Sequence, residues 1–107
     1  MLQKRFSDKQ LEKIIEEATI YMCACPAQVA VQLRALRKLY RYQTACEVNP
    51  ENDSLVHQAI AAATVSSHVV MEECMDQVLT LEGWDRATLK MPEGLRRKQI
   101  ESLDRDD

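Results

Sequence analysis

The chain has 107 residues and very few that turn or break it: two glycines and three prolines. An all-β fold needs frequent tight turns, and a phosphate-cradling loop needs glycines that let the backbone approach the anion. Two glycines supply neither. Aromatic side chains are also scarce, five in all, so a core has to be built from Leu, Ile, Val, Ala and Met. No apolar run approaches the ~20 residues that span a bilayer. The segment Met1–Arg5 leads into Ser7-Asp8-Lys9-Gln10 and not into an apolar stretch, so no secretory signal is expected. A cytoplasmic location with reduced thiols follows as the expectation, with no membrane contact. An excess of positive charge is missing as well: 14 Lys and Arg against 17 Asp and Glu leave a net charge of −3, and nucleic acid is not the expected partner. No nucleophile elbow, paired-carboxylate spacing or zinc-protease spacing occurs, so no catalysis is expected.

What is present is helical periodicity. Ser7 and Gln10 have the spacing of a capping box, and Leu11, Ile14, Ile15, Ala18 and Met22 then recur at three- and four-residue intervals. This predicts a first helix over 8–23. Cys25-Pro26 marks a break or kink, since proline displaces the residue before it from helical geometry yet suits a helix's first turn. A second helix is predicted over 27–47, with Val29, Leu33, Leu36 and Tyr40 on one stripe. Asn49 to Ser54 is rich in turn and cap formers, and a third helix should run over 53–81 until Gly83 stops it. The expected fold is an all-α antiparallel helical bundle of three main helices. Residues 1–84 would form the bundle domain and 85–107 a charged C-terminal extension, with a short helix opening at Pro92.

Helix three carries two stripes. Val56, Ile60, Ala63, Ser67, Val70, Cys74, Val78 and Leu81 have the alternating three-and-four spacing of a bundle seam. His57, Ala61, Thr64, His68, Met71, Met75 and Leu79 form a second, half-apolar stripe. A helix apolar on two sides has to be covered on two sides, and three unequal helices make a thin core. Self-association into a homo-oligomer is therefore expected, with His57, Ala61, His68, Met71 and Met75 as its interface.

Two constellations could carry chemistry. If helices two and three fold back about residue 50, Cys25 comes opposite the turn of Cys74 and Met75, while Cys46 lies at the far end. One four-cysteine zinc site is excluded, but Cys23, Cys25, Cys74 and Met75 remain as a soft-donor set, joined by Met22 and Met71. Thiolates and thioethers select copper(I), and thiolates also suit zinc. Cys25 at a helix N-cap would have its thiolate favoured by the dipole. The competing account is that Cys and Met simply fill the core. His57 and His68 lie three turns apart, too far to share an ion, and His68 has Glu72 one turn on as a pairing partner. Arg34, Arg37, Lys38 and Arg41 form one positive stripe, read either as a phosphate-contacting face or as a solvated face flanked by Glu12, Glu16 and Glu17. The leading functional expectation is self-association or partner binding. The alternative is thiol-based binding of copper(I) or zinc, or redox chemistry.

Overall fold

A computed structural model of the chain describes residues 2–20, 24–47 and 54–92. Three helices make up most of them: α1 Asp8–Ile20, α2 Ala24–Glu47 and α3 Ser54–Glu82. No strand occurs among the described residues, and the only extended pairing there is an isolated bridge between Asp85 and Lys90. The expected all-α bundle of three main helices is what the chain forms. The turn over 49–53, Met22, Cys23 and the helix expected to run on from Pro92 lie outside the described residues.

Each helix end has a local cause. Gln10 N donates to Ser7 Oγ at 3.1 Å and Ser7 N to Gln10 Oε1 at 2.8 Å, closing the capping box that opens α1. Phe6, just before the cap, and Leu11 enter the same core cluster, an apolar staple that sets the angle at which the chain enters the helix. Helix α2 starts at Ala24, three residues earlier than the sequence suggests. Cys25 is therefore inside the first turn and does not cap it. Pro26 also falls in that turn, where its missing N–H leaves no bond unmade. At the end of α3, Gly83 takes φ +73°, Gly83 N donates to Thr80 O, and Trp84 N donates to Leu79 O at 2.9 Å. That is a Schellman closure, with Trp84 and Leu79 making its apolar contact inside the core.

Helices α2 and α3 are antiparallel: their side chains meet in reversed order, Gln43 with His57 and Arg37 with His68 and Glu72. Helix α1 begins beside Arg37 and packs back along the first half of α2. The core lies at that end of the hairpin, where Leu11, Ile14, Ala18, Ala30, Leu33, Met75 and Leu79 are wholly buried. It does not stop at residue 84. A tight turn over 85–90, held by Asp85 Oδ1 accepting from Ala87 N and Thr88 N, returns Leu89 and Met91 into the same cluster. The bundle thus extends past the boundary expected at residue 84, because two apolar residues of the supposed extension are buried in it.

Beyond Arg37 on α2, and before His68 on α3, no third layer follows among the described residues. The molecule measures 57 × 30 × 19 Å, and this two-helix arm accounts for its length. Among the described residues the buried positions of the arm are Gln43, Ala61 and Thr64, small or polar.

The two stripes of α3 exchange the roles expected of them. The stripe of Ala61, Thr64, His68, Met75 and Leu79, joined by Glu72, is the one buried in the chain. Val56, Val70 and Leu81 of the supposed seam are 50%, 62% and 77% exposed. Polar residues inside the buried stripe made it look the poorer of the two, and Arg37 is what makes His68 and Glu72 buriable.

Because a Cβ at residue 83 would meet nothing closer than Pro92 Cγ at 3.9 Å, Gly83→Ala tests the positive φ alone. It should lower unfolding free energy by about 1 kcal/mol, read by chemical denaturation, without changing helix content.

Candidate functional site

The polar centre of the molecule is Arg37. Its side chain is 1% exposed although it belongs to a stripe expected to be solvated. That expectation is corrected for this residue: α1 and the segment before it close over the guanidinium, and four of its N–H groups are used. Nε donates to His68 Nε2 at 3.0 Å, and one terminal nitrogen donates to Asp8 Oδ1 at 2.6 Å. The other donates to Phe6 O at 2.6 Å and to Glu72 Oε1 at 2.7 Å. Glu72 Oε2 accepts from Phe6 N at 3.2 Å. One side chain of α2 thereby holds the start of α1, the main chain before it, and two residues of α3. An Arg–Glu pair this deeply buried is tolerated only when its remaining lone pairs and protons are satisfied, which the Phe6 peptide groups accomplish.

His68 and Glu72 come together one turn apart, as their four-residue spacing implied, with Nε2 3.4 Å from Oε1 and Arg37 donating to both. Arg37 Nε always carries its hydrogen, so His68 Nε2 acts as the acceptor and the neutral ring carries its proton on Nδ1. That Nδ1 is buried and has no hydrogen-bond partner among the described residues. Burial pushes His68 below its ordinary value of 6.5; Glu72 pulls it up, and the Arg37 charge pushes it down again. At the rim, the Arg37 guanidinium holds the carboxyl of Asp8 below its ordinary value, with help from Lys4 at 3.3 Å.

Of the residues expected to bind metal, Cys23 lies outside the described residues, Cys25 is exposed, and Cys74 is half-buried. Met75 is wholly buried among the apolar core residues. Among the described residues no three His, Cys, Asp or Glu side chains gather as a metal site would require. Of those expected to form an interface, Ala61, His68 and Met75 are buried in the chain's own core, and His57 and Met71 are half-buried. His57 Nδ1 lies 2.6 Å from Gln43 Oε1 across the arm. A surface for another chain has to be sought on the opposite side of α3.

That opposite side has an unusual composition. From Ser54 to Met71 the helix runs eighteen residues without an Asp, Glu, Lys or Arg. Its solvent face presents Ala59, Ala62, Ala63, Ser66, Val69 and Val70, with Leu55 and Val56 beside them. On α2, Leu39 and Tyr42 are also 39% and 63% exposed. Solvated helix faces normally carry charge at most turns, and this one carries none for five turns. No described helix is long and apolar enough to cross a membrane.

The Arg37 network makes two predictions. Glu72→Gln leaves Arg37 with only the rim carboxylate of Asp8 as counter-charge and should cost less, whereas Arg37→Met leaves Glu72 buried without one and should cost about 3–5 kcal/mol. The double variant Arg37→Met/Glu72→Gln removes both charges and keeps an acceptor for Phe6 N. It should recover more than half of that loss in a denaturation double-mutant cycle.

The second concerns pH. The folded His68 binds its proton more weakly than the unfolded one, so between the depressed value and 6.5 the unfolded chain holds more protons. Its contribution is complete above 6.5 and is lost as pH falls through the folded value. Thermal denaturation across that range should show stability falling with acidification, and His68→Gln should flatten the slope.

Comparison of the chain with models of protein families, with curated proteins and with solved structures finds no match.

Proposed function

We propose that the chain is a helical association module, without catalysis of its own, which pairs with a second copy along the solvent face of α3. The observation that carries this reading is the eighteen-residue uncharged stretch Ser54–Met71, whose outer face is exposed in the single chain. Its Ala and Ser residues at three- and four-residue spacing allow two helix backbones to approach closely. Val69 and Val70, 46% and 62% exposed, supply apolar area. The arm supports the same reading: its own buried positions are small or polar, so a facing helix would provide the apolar cover it lacks.

An antiparallel pairing keeps the two copies of Glu73 apart. Glu73 lies two residues past Met71, after the buried Glu72, and in an antiparallel pair it comes level with the N-terminal end of the partner's α3, where the helix dipole favours a carboxylate. A parallel pairing would set the two Glu73 carboxylates side by side. Five turns of helix pairing, on the order of 27 Å at about 1.5 Å per residue, are enough to approach the lower range of stable interfaces.

Light scattering at micromolar concentration should report a dimer or larger assembly. Val70→Glu should shift it to monomer, because the charge would be desolvated without a partner, while circular dichroism stays helical. A monodisperse monomer for the unsubstituted chain at high micromolar concentration would overturn the proposal.

A further inference from the structure

A second surface, on α2, has a different chemistry. Where α1 begins, a groove of about 560 Å³ runs along α2, lined by Asp8, Val31, Arg34, Ala35, Lys38 and Arg41, with Arg37 beneath. Arg34, Lys38 and Arg41 are exposed, and none of them makes an ion pair among the described residues. Glu12 and Glu16, expected to flank the stripe, form no salt bridge with it. Positions 34, 38 and 41 fall on one line along the helix, about 10 Å long at ~1.5 Å per residue. The fourth cation, Arg37, is held rigid and is balanced by Glu72 and Asp8. A chain of net charge −3 therefore gathers in one concavity three cations that have no ion-pair partner among the described residues.

We infer that this groove is a docking surface for a short acidic, amphipathic segment of a partner protein. Carboxylates placed on the partner at positions i, i+4 and i+7 would meet the three cations with the same helical periodicity. The lining also fits a peptide better than a phosphate polymer. Val31, 48% exposed, and Ala35 give the floor an apolar strip that a peptide's methylenes and one apolar side chain can cover. Asp8 stands in the groove with its carboxylate largely exposed, and α1 continues from it with exposed Glu12 and Glu16. A helical peptide can turn an uncharged side toward the Asp8 carboxylate in the lining, whereas a nucleic acid backbone, charged at every residue, cannot. A small phosphate ligand would want backbone N–H groups, and the capping box of Ser7 and Gln10 already engages the opening turn of α1. Charge complementarity of this kind sets the encounter rate and the choice of partner more than raw affinity, so the complex should be weak and salt-sensitive.

The test is fluorescence anisotropy of the full chain with a labelled helical peptide bearing Glu at i, i+4 and i+7 and one Leu on the same face. Saturable binding at low salt that weakens as salt rises is expected, with no binding of the peptide in which the three Glu are replaced by Gln. The triple variant Arg34→Glu/Lys38→Glu/Arg41→Glu should lose roughly tenfold or more in affinity. Arg34→Gln/Lys38→Gln/Arg41→Gln should show a smaller loss in the same direction, with helix content unchanged in both. Failure of the Glu peptide to bind at low salt, or equal binding by the charge-reversed variant, would overturn the inference. So would displacement of the peptide by tripolyphosphate or a single-stranded oligonucleotide at matched charge, which would assign the groove to phosphate. The inference stands independently of association through α3: light scattering should give the same assembly state for these variants as for the unsubstituted chain.

Discussion

Every element of the bundle is tied to the others through the guanidinium of Arg37. It reaches α1 at Asp8, the chain before α1 at Phe6, and α3 at His68 and Glu72. Apolar packing of Leu11, Ile14, Leu33 and Leu79 supplies much of the free energy that holds these layers together, but such packing is tolerant of sliding and rotation. Directional bonds to a planar fork are not. A helix rotated or shifted by one residue would leave a buried charge without its partner, so the network selects one register among several that the apolar residues alone would accept. The orphaned Nδ1 of His68 is the cost that accompanies this choice, a buried donor with nothing among the described residues to receive it.

The network also decides where the bundle ends. Helix α1 starts at Asp8 because Ser7 and Gln10 cap it there, and Asp8 is also the residue that closes over Arg37. Cap and ion pair therefore fall at one point of the fold, and α1 can cover only the half of the hairpin that lies to one side of it. The other half is left as an arm with small and polar buried positions. The exposure of that arm follows from α1, 13 residues long, being too short to span α2 and α3.

The same geometry separates the two surfaces by chemistry. The outer face of α3 has no charge over five turns, while the exposed side of α2 carries Arg34, Lys38 and Arg41 beside the start of α1. One surface suits a dry contact with a like helix, and the other suits a wet, reversible contact with an acidic one. Burying Arg37 while leaving its neighbours exposed is what turns a plain basic stripe into a groove with a fixed floor.

Helix number, helix type and most helix ends were legible in the sequence because they depend on neighbours within a turn. The capping box of Ser7 and Gln10, the proline in the first turn of α2 and the positive φ of Gly83 are all local effects, and spacing reports them. The closeness of His68 and Glu72 was readable for the same reason, being one turn of one helix. The face of α3 that turns inward was not readable. Counting apolar residues favours the stripe of Val56, Val70 and Leu81 over one that contains Thr64, His68 and Glu72. The order is reversed by a residue 31 to 35 positions away that bonds His68 Nε2 and Glu72, while Thr64 is satisfied by Ile60 O of its own helix. The burial of Arg37 and of Met91 likewise depends on where distant segments return. Local periodicity determined which helices form; which sides of them meet was decided by long-range polar partners, whose benefit exists only once the chain has folded.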